Sequence, residues 1–291
     1  MLRALGAVEI PVLRRTVEEL GRLREHESRL VARDISRILL HDPMFSLRVL
    51  RFLSARPKHF RSREITTLEH ALMMLGVSPF FAHFNDLPTV ESTLADFPLA
   101  LDGLMRVINR ARHAALYARD WAGIRHDTES EEVVIAALLH DLAEMLLWCF
   151  APGHALRIGE LLHHEPAMRS IAAQRSVLGF TLIELQRELI SAWKLPDLLR
   201  FLMDGTHDGH PRAINVVLAV DLARHSACGW DDPALPDDFA AIMKFLGLPQ
   251  QEVLERIRRT NSQSDNESNW YHPETALAQK KPESGPSGIQ E

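Results

Sequence analysis

Cysteine is nearly absent: Cys149 and Cys228 stand far apart, with no CxxC spacing. The simplest reading is two reduced thiols in a cytosolic protein. A Gly-rich phosphate loop is missing, and so is a GxSxG elbow, so neither phosphate cradling by a loop nor serine nucleophile chemistry has support. An excess of positive charge is missing as well. The formal net charge of −6 gives no global attraction for nucleic acid or anionic lipid. No run of alternating β-branched residues is long enough to read as a strand. The start, MLRALGAVEIP, has no apolar core and no small-residue cleavage site, so no secretory signal is expected. The most apolar window, 133–151, is interrupted by His140, Asp141 and Glu144. A bilayer span rarely accepts three such groups, and the expected location is the cytoplasm.

What is present is helical periodicity. The chain of 291 residues is 46% hydrophobic and 25% charged, enough for a sizeable core. Leu13, Val17 and Leu20 recur on one face, as do Leu30, Ile35, Ile38 and Leu39. Further helices are expected at 44–55, 66–76, 99–122, 130–150, 153–164, 176–192, 196–203 and 211–227, separated by Pro, Gly and Asp clusters. The fold class is all-α. An N-terminal bundle is expected over 1–90 and a second helical lobe over 91–227, with LPTVESTLADFP at 87–98 as the joint. A helical extension follows at 228–259. The polar stretch 260–291 holds too few apolar residues to offset ordering entropy and is expected to be a disordered tail. Trp270 and Tyr271 within it read either as a short docking motif or as a stray aromatic pair.

His-Asp occurs four times, at 41–42, 126–127, 140–141 and 207–208. The first is a turn before Pro43, the second sits in a polar loop, and the fourth precedes Gly209. Only His140-Asp141, in IAALLHDLAEMLLW, is set in a strongly apolar helix. A buried charge is costly unless it is paired. Hydrolytic metal chemistry needs several His and carboxylate ligands around one ion. His113, in RVINRARHAALYARDW, and Asp221, in INVVLAVDLAR, are the candidates to close such a site from neighbouring helices. The bland alternative is a hydrogen-bonded pair that locks two helices together.

The order His, His-Asp, distant Asp resembles the HD superfamily of metal-dependent phosphohydrolases. More closely, the chain resembles the superfamily's regulatory branch, the HDOD (HD-related output domain) family. The motifs are IP at 10–11, HDPMFSLRVLRFLSA at 41–55, ITTLEHALMMLG at 65–76, AALLHDLAEMLL at 136–147, and LG at 178–179 followed by W-x-L-P at 193–196. The resemblance implies a two-lobed helical fold over about residues 8–227. It also implies a single divalent cation held by His113, His140, Asp141 and Asp221. Several positions depart from the pattern. Leu53-Ser54 stands for Asn-Ser, Leu182 for a His, Gln186 for a Gly, and Glu144 for a Lys that hydrolytic relatives often carry. Leu182 cannot be a ligand, and the Glu144 change removes a cation suited to phosphate. THDGHP at 206–211 faintly resembles the HD-GYP signature without its Tyr.

Two other features have ordinary readings. RVLRFLSARPKHFRSR at 48–63 holds six basic residues, with Phe52 and Phe60, and no acid. It reads either as a nucleic-acid patch or, with more support, as an amphipathic helix with solvated arginines. An acidic protein partner would fit the same patch. His163, His164 and Glu165 read as an exposed helix end. The function implied is a regulatory signalling module that binds a protein partner in trans, with a ligand in the HD cleft as a switch. Nucleic acid and membrane are not expected partners. The alternative is a one-metal phosphohydrolase acting on a nucleotide or phosphoester.

Overall fold

The computed structural model describes residues 8–55, 68–165, 167–203 and 209–266. Among the described residues the regular structure is helical, apart from one parallel bridge between Val12 and Thr89. Arg14–Arg24 (α1), Ala32–Leu39 (α2), Pro43–Ser54 (α3), Leu68–Leu75 (α4) and Val77–His83 (α5) form the N-terminal lobe. A short helix, Val90–Thr93 (α6), leads into Pro98–Ile124 (α7). The second lobe continues with Ser130–Leu139 (α8), Leu142–Phe150 (α9), Pro152–His164 (α10), Ser170–Leu178 (α11), Leu182–Ala192 (α12), Asp197–Met203 (α13) and Pro211–His225 (α14). Leu235–Leu246 (α15) and Gln250–Asn266 (α16) close the described chain.

The IP and HDP motifs meet at one side chain. Asp42 is fully buried and caps α3 by accepting from Phe45 N at 3.0 Å. It also accepts from Leu13 N at 2.8 Å and from the Thr16 hydroxyl at 2.7 Å, which fixes the entry to α1. Pro43 follows at the start of α3, where its missing N–H costs nothing. The segment read as a joint is packed. Val12 N donates to Pro88 O at 2.9 Å and Val90 N to Val12 O at 2.8 Å, with Val90 and Leu94 buried.

The spine is α7, whose 27 residues span about 40 Å. Small buried residues, Ala100, Ala111, Ala114 and Ala118, let α8, α9, α14 and α16 pack against it. The approach of α9 is close at Gly103, where a Cβ would lie 2.6 Å from the Trp148 ring. One contiguous apolar core, from Ile10 to Ile257, runs through both lobes.

Three differences from the sequence expectation bear on the site. The helix expected over 130–150 is broken at the His-Asp pair, where α8 ends and Asp141 adopts φ −99°, ψ 27° ahead of α9. Asp is a poor helix-interior residue, and here its side chain does not cap α9 but turns to partners on other helices. The helix expected over 176–192 is likewise two. Gly179, at φ +80°, ends α11. A capping box between Thr181 and Glu184 then starts α12, with Glu184 N donating to Thr181 Oγ1 at 3.2 Å and Thr181 N to Glu184 Oε2 at 2.8 Å. Finally, α16 carries on through Thr260, which is buried, to Asn266, and Tyr117 O–H donates to Asn261 Oδ1 at 2.5 Å. The polar stretch expected to be disordered from 260 is therefore helical at its beginning. Its remainder, with Trp270 and Tyr271, lies outside the described residues. The apolar stretch Ser130–Phe150 could cross a membrane by length and composition, yet most of it is buried in the core.

Candidate functional site

His140 and Asp141 sit at the α8–α9 corner, where three helices converge on one carboxylate. From α7, Arg110 donates to Asp141 Oδ2 through Nε at 3.0 Å and Nη2 at 2.6 Å. The same Nη2 donates to Glu144 Oε2, on α9, at 2.7 Å. From α14, Arg224 Nη2 donates to Asp141 Oδ1 at 3.1 Å. His140 Nδ1 lies 3.1 Å from that same Oδ1. Both oxygens of Asp141 are thus engaged. The side chain is 9% exposed.

Electrostatics follow from that geometry. Burial alone would raise the Asp141 pKa. The Arg110 charge, the bond from His140 and the Arg224 charge overcome it and hold the carboxylate well below its usual range. Burial works against charge on Arg110 too, but Asp141 and Glu144 on either side keep its guanidinium charged.

The other two expected ligands are placed differently. His113 stands one turn beyond Arg110 on α7, with Nδ1 2.9 Å from the Asn109 carbonyl, so Nδ1 carries the proton. Asp221 lies one turn before Arg224, 3.8 Å from its Nη1, and burial pushes its carboxyl pKa up. Asp221 is therefore linked to Asp141 through a guanidinium. Among the described residues, no group of three or more His, Cys, Asp and Glu side chains is arranged to hold a metal ion.

A cleft of about 490 Å³ opens beside the pair. His140, Asp141, Arg110 and Arg224 form one end; helices α9 to α12 supply much of the wall. The α11–α12 corner places Leu182 and Gln186 on that wall, and Gln186 Oε1 accepts from Ala143 N at 3.4 Å. The position where relatives carry a His is thus an apolar part of the cleft. Neither His113 nor Asp221 borders it.

Arg110 and Arg224 were missed by reading the sequence. Their signal was faint but present: each lies three residues from an expected ligand and so on the same helical face. Glu144, read as the loss of a cation, faces one supplied by Arg110 instead. The other described His-Asp pairs are structural. Asp42 is the buried clamp, and Asp127 accepts from Arg212 through Nε at 2.8 Å and Nη2 at 2.6 Å. His207-Asp208 lies outside the described residues.

The basic stretch divides. Arg48 donates to Ile10 O at 2.8 Å, and Arg51 donates to Val8 O at 3.0 Å while lying over the Trp193 ring. Phe52 stacks on His83 at 3.8 Å. These side chains tie the amino-terminal segment and the two lobes together. Arg56, Lys58, Phe60, Arg61 and Arg63 lie outside the described residues. His163, His164 and Glu165 are exposed at the end of α10.

Residues 10–208 match the model of the HDOD domain family. No curated relative matches the chain. Among solved structures, the MmoQ response regulator from Methylococcus capsulatus str. Bath is 19% identical, with a TM-score of 0.63 over 88% of this chain and 99% of that one. A virulence factor from Campylobacter jejuni is 18% identical, with a TM-score of 0.66 over 90% of this chain and 95% of that one. These likenesses show a shared helical fold. With the family's motifs folded into the Asp42 clamp, the His-Asp corner and the Gly179 corner, and its model matched over most of the chain, the protein belongs to the HDOD family.

Proposed function

We propose that the protein is a regulatory signal-transduction module that binds a protein partner in trans, with a ligand in the cleft beside Asp141 as its switch. On this reading the His-Asp site turns over no substrate. The observation that carries it is the state of Asp141: two guanidinium groups and His140 take up both its oxygens. Arginine supplies the positive charge that a catalytic metal supplies elsewhere, but it offers no open coordination position for activating water. The likeness in fold to a response regulator fits a role in signalling. Two unbridged cysteines, Cys149 buried and Cys228 exposed, suit a cytoplasmic setting.

The competing reading is a one-metal phosphohydrolase using His113, His140, Asp141 and Asp221. The exposure of His140 and Asp141 to the cleft favours it. It requires Arg110 and Arg224 to leave Asp141, since cation and guanidinium compete for the same lone pairs. The test is hydrolysis of bis(p-nitrophenyl) phosphate with added Mn²⁺ or Mg²⁺. The regulatory reading expects no turnover above that of Asp141→Ala. Metal-dependent turnover lost in Asp141→Ala would establish the hydrolase.

A further inference from the structure

We infer that the cleft beside Asp141 binds an amphipathic organic anion, an aliphatic chain carrying a carboxylate or phosphate head. This rests on the regulatory reading in one respect: the anion is a signal, bound and released unchanged.

The cleft volume of about 490 Å³ falls within the roughly 300–1,000 Å³ that encloses small organic molecules. Its wall is mostly apolar, formed by residues such as Leu147, Trp148, Ile158, Leu162, Leu182 and Ile190. Ile171 and Ile183, 48% and 52% exposed, extend that surface to the lip. An aliphatic chain removes such surface from water. The wall offers little to read a nucleobase: Gln174 and Gln186 already use their carbonyl oxygens on Leu182 N and Ala143 N.

The charged groups select the head. Arg110, Arg187, Arg200 and Arg224 border the cleft against two carboxylates, Asp141 and Glu144. Asp197 and Asp221, which pair with Arg200 and Arg224, stand outside the wall. The Arg200–Asp197 pair is exposed, and such pairs hold weakly, so the Arg200 guanidinium is available to turn inward. A guanidinium fork takes a carboxylate or phosphate through two parallel bonds.

Gly159 gives a clean block. It borders the cleft on α10, and a Cβ added there meets no atom within 4 Å. Gly159→Phe therefore adds an aromatic ring at the cleft wall with no clash at its first carbon, in a helix that gains propensity by losing glycine.

The experiment is calorimetric titration of the full chain with dodecanoate, dodecyl phosphate and dodecanol, each below its aggregation concentration. Recovered ligand is identified by mass spectrometry. The expected result is saturable one-site binding of both anions and dodecanol weaker by about tenfold or more, as loss of a charge-assisted bond implies. Binding should vanish in Gly159→Phe at an unfolding midpoint no lower than that of the wild type, and both anions should return intact. No saturable binding, equal binding of dodecanol, or unchanged binding in a folded Gly159→Phe would overturn the inference while leaving the regulatory reading in place. Conversion of dodecyl phosphate to dodecanol would confirm the site and overturn the regulatory reading.

Discussion

Arg110 Nη2 lies 2.6 Å from Asp141 Oδ2 and 2.7 Å from Glu144 Oε2, bridging the two acids of the HD corner. This one guanidinium joins the spine helix α7 to the start of α9. Removing it by Arg110→Ala strands Glu144 and leaves Asp141 with Arg224 and His140. Breaking a buried pair costs about 3–5 kcal/mol when the remaining charge is left uncompensated, and with Arg224 and His140 still on Asp141 the loss should fall below that range. Arg110→Lys should recover only part, because a single ammonium cannot reproduce the fork. Adding Asp141→Asn to Arg110→Ala should cost less than the sum of the two changes. Denaturant unfolding measures all of these, and a loss below about 1 kcal/mol for Arg110→Ala would show that the bridge is not holding the corner.

The same pairing sets a pH dependence. Asp141 has a folded pKa well below the ordinary value, which is about 3.9 in the unfolded chain. Its ionised form therefore contributes stability in full above about pH 4, and that contribution is lost as pH falls through the lowered folded value. Unfolding free energy should drop more steeply below about pH 4 in the wild type than in Asp141→Asn. Carboxylates remote from the corner, such as the burial-raised Asp42, are common to both curves and cancel in the difference, whereas Glu144 and Asp221 share guanidinium groups with Asp141 and belong to the same acid-sensitive unit. Parallel acid limbs would contradict the pairing.

Gly103 marks a close crossing of α7 and α9. A methyl group there would stand 2.6 Å from the Trp148 ring, which also borders the cleft. Gly103→Ala should raise helix propensity, yet overpacking of about 1–3 kcal/mol should outweigh that gain. Near-ultraviolet circular dichroism should report the displaced Trp148. A stabilised variant with an unchanged spectrum would mean the ring moves aside freely.

Asp42 holds the amino-terminal segment. Asp42→Ala leaves Leu13 N, Phe45 N and the Thr16 hydroxyl without their acceptor. With each buried donor left unmade costing about 1–3 kcal/mol, the variant should be among the most damaging single changes in the N-terminal lobe. Asp42→Asn, which keeps one acceptor oxygen, should cost less. Hydrogen exchange at Leu13 and Phe45 would separate loss of this clamp from general destabilisation.

Helix positions were legible wherever apolar periodicity and Pro or Gly stops coincided, as in α3, α10 and α14. The breaks were not. Periodicity runs straight through His140-Asp141 and through Gly179, and it is the long-range partners of Asp141, together with the left-handed Gly179 and the capping box at Thr181, that turn the chain there. The site was half legible. His140 and Asp141 stood out as polar groups in an apolar run. The arginines that engage Asp141 did not, because an arginine on an amphipathic helix looks like ordinary surface until another helix brings a carboxylate to it. His41-Asp42 shows the converse. Its turn was read correctly, but the reach of one buried side chain across 26 and 29 residues could not be seen along the chain.

Metal analysis of protein purified without added metal, beside the His140→Ala, Asp141→Ala double variant, tests the state of Asp141 most directly. If guanidinium groups occupy the carboxylate, metal should be far below one equivalent and no different in the variant. Near-stoichiometric metal in the wild type, absent from a folded variant, would show that Arg110 and Arg224 give way to a cation, and it would contradict the regulatory reading of the site.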